Sequence, residues 1–284
     1  MKVLQDAFYL PVEGGRCFCI FRRSAVPVGA MLHLPAFGDE MNKARAMTAR
    51  AARAFAAIGF NVLQIDLAGC GESSGTHRDA DVTRWAGNAI AALDWLRLRG
   101  ETAVPPWIWC LRAGALLAPA LLDRARDAPL LLWQPTLSGA QQLTQLLRQK
   151  LAGGLTGLDA DRAGTKSLRQ RLQRGELLEI GGYEISPRLA DELGRAVFDL
   201  PADYRGRIAW FELSPTDPPV LSPAARTKIA ALRSTGVKIS AAAIRGPGFW
   251  QSSEIEHSKA LIEASATALS ADFAHGLSRD TAVL

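Results

Sequence analysis

The chain has 284 residues, of which 48% are hydrophobic, 21% charged and 7% aromatic, and these fractions exclude a disordered chain, a collagen-like repeat and a small disulfide scaffold. The length suffices for one large domain or two small ones, with a sizeable core. The net charge of +5 is spread along the chain, so it favours acidic ligands or surfaces and does not indicate a nucleic-acid-binding protein.

The hydrophobic pattern predicts strands and helices in alternation, behind an opening hairpin at residues 3–24 that turns at Gly14 and Gly15. Four apolar runs predict buried strands, and amphipathic or alanine-rich segments between them predict helices. The predicted elements are a strand at 30–35, a helix at 41–58, a strand at 61–67, a helix at 81–98, a strand at 106–111, a helix at 113–125 and a strand at 130–135. The alternation predicts the α/β class, with a mostly parallel sheet of about eight strands and helices on both faces.

The alternation stops between residues 137 and 200, where the chain is polar and helical with a loop at 180–186. We expect residues 137–200 to be a helical cap, inserted over one end of a core that consists of residues 1–136 and 201–284. The elements expected after the cap are strands at 207–214 and 238–244, a last helix at about 253–270, and a tail from Ala271 without regular structure.

The cysteines and the apolar runs indicate the compartment. The chain has four cysteines, Cys17, Cys19, Cys70 and Cys110. Cys17 and Cys19 are close in sequence, but no second Cys or His pair stands at the spacing of a zinc site. We therefore expect reduced thiols, no metal and a cytoplasmic location. No apolar run reaches the roughly 18 residues of a membrane-spanning helix, and the first residues do not resemble a signal sequence. We therefore expect no integral membrane segment.

A glycine-rich loop follows the strand at 61–67. It begins at Asp66 and contains Gly69, Gly71 and Gly75. Its D-x-x-G-x-G-x-S pattern resembles a loop of α/β-hydrolases at the same place in the strand order. The spacing does not match the G-x-G-x-x-G of dinucleotide-binding loops, because the third glycine comes one residue late. We therefore expect no nucleotide, and no other cofactor is indicated.

The turn between the strand at 106–111 and the next helix corresponds to the G-x-S-x-G elbow of α/β-hydrolases, which lifts a nucleophilic serine above the sheet. Here the residues are Cys110, Leu111, Arg112, Ala113 and Gly114, so arginine stands at the position of the nucleophile. A guanidinium stays protonated and cannot act as an acyl nucleophile. Cys110 lies two residues early, within the strand, where a core thiol is the favoured interpretation.

One member of a Ser-His-Asp triad can be placed by position. Asp217 follows the strand at 207–214, where the acid belongs, but the loop at 245–251, where the base belongs, contains no histidine. We interpret His33 as an inward-facing strand residue. His77 could overhang the site, but a solvated loop residue is the favoured interpretation. The pattern therefore predicts that standard serine-hydrolase chemistry is absent.

Arg112 would still lie beside amide groups that bind anions. In an active hydrolase, amides from Ala113 onward and one near Phe37 would stabilise an oxyanion. The guanidinium, next to the positive end of a helix, would either anchor the carboxylate or phosphate of a ligand or form an ion pair with Asp217 or Glu254 in an inactive pocket.

Other candidate ligand-binding residues flank this position. Glu40, with Asn42 and Lys43, would lie beside the oxyanion position, where it either caps a helix and contacts solvent or contacts the ligand. Phe249 and Trp250 occupy the loop where the base would stand. They would either fill the core or form an apolar wall for an acyl or isoprenoid chain.

Six segments together resemble the exosortase A system-associated hydrolases, most closely type 2, from residue 8 to about residue 262. These segments are PAFGDEMNKARAM, DLAGCGESSG, CLRAGALLA, LLLWQPTLSGAQQLTQLLR, GGYEIS and GPGFWQSSEI. The resemblance implies the α/β-hydrolase fold and an association with exopolysaccharide and PEP-CTERM protein-sorting systems. The name of that family also implies hydrolysis.

Two functions from different classes follow. The first is a non-catalytic protein that binds an acyl, lipid-like or other anionic small molecule in a degenerate hydrolase site. The second is a hydrolase or acyltransferase that acts on an ester or thioester with an unusual nucleophile. The sequence indicates no particular protein partner for either function.

Overall fold

The computed structural model describes residues 3–154 and 164–280. Ten strands lie in this part of the chain: β1 (Leu4–Val12), β2 (Gly15–Arg23), β3 (Gly29–Leu34), β4 (Phe60–Ile65), β5 (Trp107–Leu111), β6 (Leu130–Trp133), β7 (Leu178–Ile180), β8 (Tyr183–Ile185), β9 (Arg207–Ser214) and β10 (Lys238–Arg245). Eight of them form one sheet in the order β1-β2-β4-β3-β5-β6-β9-β10. β2 pairs antiparallel with both of its neighbours, and the other pairs are parallel. The predicted α/β class and the mostly parallel sheet are confirmed.

The helices of the described residues are α1 (Asp39–Ala57), α2 (Val82–Arg99), α3 (Ala118–Leu122), α4 (Gly139–Gly154), α5 (Thr165–Gln173), α6 (Pro187–Arg195), α7 (Pro223–Ser234) and α8 (Lys259–Asp280). Not one of these described helices is both long and apolar enough to cross a membrane. The expectation of a tail without regular structure from Ala271 is wrong, because the backbone of α8 continues to Asp280.

The central strands are apolar throughout because both of their faces are covered. Alternate residues of β5 enter two different cores. Ile108 and Cys110 pack on the side of α2 and α3, whereas Trp109 and Leu111 pack on the side of α1 and α8. This burial on both faces explains why the sequence shows continuous apolar runs at these strands.

The segment between β6 and β9 lies outside the large sheet. It contains α4, α5, the hairpin β7–β8 and α6, and α4 packs against α6 and β7. Its two ends meet, since the amide of Gly139 donates to the carbonyl of Ala196 at 2.8 Å and the amide of Phe198 donates to that of Leu137 at 3.0 Å. A Cβ at Gly139 would lie 1.9 Å from the carbonyl oxygen of Leu193, so this close approach requires glycine.

Two further sequence predictions differ from the structure, and one helix has no counterpart among the predictions. The loop predicted at 180–186 contains the hairpin β7–β8, whose turn residues Gly181 and Gly182 both have positive φ angles, 57° and 82°. Helix α7 was not predicted. The helix predicted at 113–125 is instead a 3₁₀ helix at Arg112–Leu117 followed by the five-residue helix α3. A helix this short carries little macrodipole, so the amides after Arg112 attract anions less than the sequence suggests.

Candidate functional site

The turn that follows β5 keeps the geometry of a nucleophile elbow. Arg112 has a φ of +52°, in the left-handed region that residues other than glycine seldom adopt. Two residues on, Gly114 lies against the end of β3, where a Cβ would approach the carbonyl oxygens of Leu34 and Pro35 to 2.5 and 2.6 Å. This close packing holds the strained turn in place and leaves Arg112 at its apex.

A cavity of about 400 Å³ lies between this turn and the segment that is inserted after β6. The inserted segment supplies three glutamines, Tyr183 and aliphatic side chains, whereas the core supplies mainly aromatic and charged side chains. The residues that line the cavity are Phe37, Gly38, Asp39, Glu40, Lys43, His77, Trp85, Arg112, Gln142, Gln145, Leu146, Gln149, Ile180, Tyr183, Ile185, Leu189, Leu193, Trp250 and Gln251. Ligands of α/β proteins bind at this carboxyl edge of the parallel strands.

The charge of Arg112 is met by Glu40. Nη2 of Arg112 donates to Oε1 of Glu40 at 3.0 Å, and Nε lies 3.3 Å from both carboxylate oxygens. The two side chains are only 14% and 20% exposed. The guanidinium also lies over Trp250, 5.3 Å from the ring centroid. The alternative that paired Arg112 with Asp217 or Glu254 is therefore wrong, because Glu40 in the first turn of α1 is the adjacent carboxylate.

Asp217 does not contribute to this cavity. Its side chain is 70% exposed and forms an ion pair with Arg245 at 2.7 Å. An exposed pair of this kind is screened by water and contributes little to stability. The carboxylate at the expected position of the acid is thus a surface residue here, away from Arg112.

The other sequence candidates divide into lining and core residues. Phe37 and Trp250 line the cavity. Ala113 and Phe249 are fully buried and do not line it. Phe249 packs edge-on against Trp133 and Trp250, at centroid distances of 6.3 and 5.1 Å, so it fills the core.

His77 is a cavity residue, and its interpretation as a solvated loop residue is wrong. It is only 9% exposed and packs against the rings of Trp85 and Tyr183. Its Nδ1 lies 2.9 Å from the carbonyl oxygen of Glu184 in β8. A carbonyl only accepts, so Nδ1 carries a proton, and burial lowers the pKa of His77 below its ordinary value. In the resulting neutral ring, Nε2 is an acceptor, and it has no hydrogen-bond partner among the described residues.

The cavity contains no usual nucleophile within the part of the chain that the structure describes. None of its lining residues is Ser, Thr or Cys. All four cysteines are free and buried, and burial raises the pKa of Cys70 to about 12 and also raises that of Cys110. The ammonium of Lys43 is paired with Asp39 at 2.8 Å. No cluster of described His, Cys, Asp and Glu side chains could hold a metal ion.

No family model matches this chain, and neither does any curated protein. Solved structures do match over almost its whole length. Est1E from Butyrivibrio proteoclasticus with bound ferulic acid has a TM-score of 0.62 at 13% identity and covers 96% of this chain and 100% of its own. The α/β-hydrolase domain-containing protein 10 from mouse has a TM-score of 0.55 at 11% identity and covers 96% of this chain and 99% of its own.

A highly thermostable carboxyl esterase from Bacillus coagulans, in complex with glycerol, has a TM-score of 0.55 at 12% identity and covers 87% of this chain and 91% of its own. The chain has the α/β-hydrolase fold. At these identities the likeness shows the fold alone. Within the α/β-hydrolase fold, the strand–turn–helix element at Arg112 is the one that holds the nucleophile of an active enzyme.

Proposed function

We propose that this α/β-hydrolase-fold protein binds an acyl or lipid-like ligand with an anionic head group and does not hydrolyse it by Ser-His-Asp chemistry. Residues 137–200 act as the cap of this site, on a core of residues 1–136 and 201–284. The resemblance to exosortase A system-associated hydrolases supports a role in exopolysaccharide or PEP-CTERM sorting systems. The single observation that carries the proposal is Arg112, at the apex of the elbow and in the wall of the cavity.

The chemistry of the site supports binding over hydrolysis. A guanidinium stays protonated, so Arg112 cannot attack an acyl carbon. Asp217 is bound to Arg245 at the surface, and the residues of the expected base loop, 245–251, that line the cavity are Trp250 and Gln251, neither of which is a base. His77 could accept a proton, but no hydroxyl or thiol of a described lining residue is there to supply one, apart from the phenol of Tyr183, whose pKa burial raises.

The cavity wall has two chemically different parts. The side chains from the inserted segment are largely aliphatic, and the residues that supply this apolar surface are Leu146, Ile180, Ile185, Leu189 and Leu193. The opposite side carries Arg112, Glu40 and Lys43. An amphiphile fits this division, with its chain against the aliphatic side and its head group at Arg112.

The head group must compete with Glu40. Glu40 occupies two donors of Arg112, and it lies in the first turn of α1, where the helix dipole also favours a negative charge. A carboxylate or phosphate that replaces Glu40 would inherit both interactions. Glu40 therefore limits the affinity of the site and selects for ligands that are themselves anionic.

The absence of hydrolysis can be tested directly. Incubation with a fluorophosphonate probe, followed by intact-mass measurement, is expected to leave the mass unchanged. A stoichiometric adduct on a serine of this chain would overturn the proposal and identify the nucleophile of an active enzyme.

Binding can be tested with dodecanoate and dodecanol as matched probes. We expect dodecanoate to raise the melting temperature of the wild type and expect Arg112→Leu to abolish this rise. Glu40→Gln should strengthen dodecanoate binding about tenfold, because it makes a charge-assisted hydrogen bond of about 1.5–3 kcal/mol from Arg112 available to the ligand. Arg245→Gln removes the same charge at the surface and is the control. Equal binding of dodecanol, or dodecanoate binding that Arg112→Leu leaves intact, would refute the anionic head group.

A further inference from the structure

A second cavity, of about 220 Å³, lies beside the first half of α1. It is bounded by β2, β3, β4 and the first half of α1, and its described lining shares no residue with that of the larger cavity. Several of its walls are apolar, but Arg22, His33, Gln64 and Asp66 also face it, together with Arg45. It is therefore a separate site with its own charged groups.

Arg22 is buried without a countercharge. It is 2% exposed, Nη1 donates to Oε1 of Gln64, and Nε has no hydrogen-bond partner among the described residues. No carboxylate of the described chain forms an ion pair with it. Removal of a guanidinium from water costs several kcal/mol unless an anion compensates. Burial, with the nearby charge of Arg53, lowers the pKa of Arg22 to about 10, so the group remains charged at neutral pH.

The other groups around the cavity leave this charge unbalanced. Arg45 and Asp66 form an ion pair at 3.1 Å, and Asp66 also accepts from the amide of Glu72 at 3.1 Å, so these two charges compensate each other. His33 is neutral at physiological pH, because burial and the charges of Arg22 and Arg45 lower its pKa to about 3. Its Nε2 is a second buried nitrogen without a partner. The cavity thus carries a net charge of about +1 from Arg22.

We propose that this cavity binds a small oxyanion, a carboxylate or a phosphate, whose charge Arg22 compensates. A planar guanidinium with unused donors matches the oxygen pairs of both groups. The volume excludes a large ligand, and the apolar walls from β2 and α1 accommodate a short aliphatic substituent. The two cavities share no described lining residue, so the two sites could be occupied together.

The first test uses the full chain with inorganic phosphate and butyrate as probes. Melting temperatures are recorded at constant ionic strength, with sodium chloride as the balancing salt. We expect a saturable rise with at least one of the two oxyanions that chloride does not reproduce. A response to phosphate alone or to butyrate alone would support the proposal and identify the preferred class. The same melting temperature in all three salts would overturn it.

Variants then locate the effect. Arg22→Met is expected to weaken oxyanion binding at least tenfold and to melt, without oxyanion, no lower than the wild type, because it removes an uncompensated buried charge. Arg23→Met is the matched control, since Arg23 follows on β2, points to the other face of the strand and is already paired with Asp6 at 2.8 Å. It should respond to oxyanion as the wild type does.

A cavity-filling variant keeps the proposal testable if Arg22→Met does not fold. Ala49 lies on α1, half-buried at the cavity wall, and Ala49→Leu fills space there without a change of charge. We expect it to fold and to lose the oxyanion response. A full response in Ala49→Leu, or in a folded Arg22→Met protein, would overturn the proposal.

Discussion

Stability of this protein is expected to fall in mild acid because of His33. The residue lies in β3, fully inside the fold, and its ring packs against Trp109 in a tilted arrangement, with 4.2 Å between the ring centroids. Burial, assisted by the charges of Arg22 and Arg45, lowers its pKa from 6.5 to about 3. The folded protein therefore keeps this ring neutral at pH values where an unfolded chain has protonated it.

The sign and size of the effect follow from that difference. Between pH 6.5 and pH 3 the unfolded state binds a proton that the folded state does not, so the free energy of unfolding decreases as the pH falls. The slope is up to about 1.4 kcal/mol per pH unit for one group. From neutral pH to pH 4.5 the loss amounts to about 2.5 kcal/mol, a large share of the roughly 5–15 kcal/mol that stabilises a typical protein.

Equilibrium urea unfolding between pH 7 and pH 4.5 measures this loss. The comparison is between the wild type and His33→Phe, which keeps an aromatic ring on Trp109 and cannot titrate. Carboxylates contribute equally to both proteins, so the difference between the two curves isolates His33. We expect the wild type to lose about 2.5 kcal/mol more than the variant. Parallel curves would refute the assignment of a neutral buried histidine.

Three further predictions concern the larger cavity. In a double-mutant cycle of Arg112→Gln and Glu40→Gln, urea unfolding should give an interaction free energy between the two side chains of about 1–2 kcal/mol. Additive effects of the two substitutions on stability would show that the Arg112–Glu40 ion pair is not formed. Nitrogen-15 shifts at pH 7 should show His77 as the neutral ring protonated on Nδ1, and the opposite tautomer would contradict the bond to β8. Gly114→Ala should lower stability by about 1–3 kcal/mol, whereas Gly87→Ala, which meets no atom within 4 Å, should not.

The central strands could be predicted from the sequence because strands that are buried on both faces consist of consecutive apolar residues. The strand predicted at 30–35 is Gly29–Leu34, and that predicted at 106–111 is Trp107–Leu111. The elbow was found through its residue pattern and its place in the strand order. These features depend on neighbouring positions, which a sequence displays directly.

The helix after the elbow was mispredicted for a physical reason. An Ala- and Leu-rich run from Ala113 favours α-helix by composition. Gly114, however, is wedged against the carbonyl oxygens at the end of β3, and Pro119 lies in the first turn of α3. The close approach fits the tighter 3₁₀ turn, and the α-helix begins only at Ala118. Tertiary contact overrides the local preference here.

The polar contacts of the site could not be predicted from local sequence patterns. Arg112 and Glu40 are 72 positions apart, and His77 and Glu184 are 107 apart. Each pair involves a residue on a loop or helix end whose partner is chosen by the three-dimensional arrangement. The strands β7 and β8 have three residues each, too short for a period-two pattern to be recognised.

The backbone strain at Arg112 helps to distinguish a ligand-binding site from an inactive remnant of a hydrolase site. A left-handed backbone at a residue other than glycine costs about 1–3 kcal/mol, and a guanidinium, which stays protonated, provides no nucleophile in return for that cost. A glycine at this position would relieve the strain but would leave Glu40 without its partner. The strained turn directs the guanidinium to Glu40 and to the cavity, which an unstrained strand end would not do. The strained turn is therefore explained by the placement of the charge of Arg112, which supports the proposed binding function over an inactive remnant.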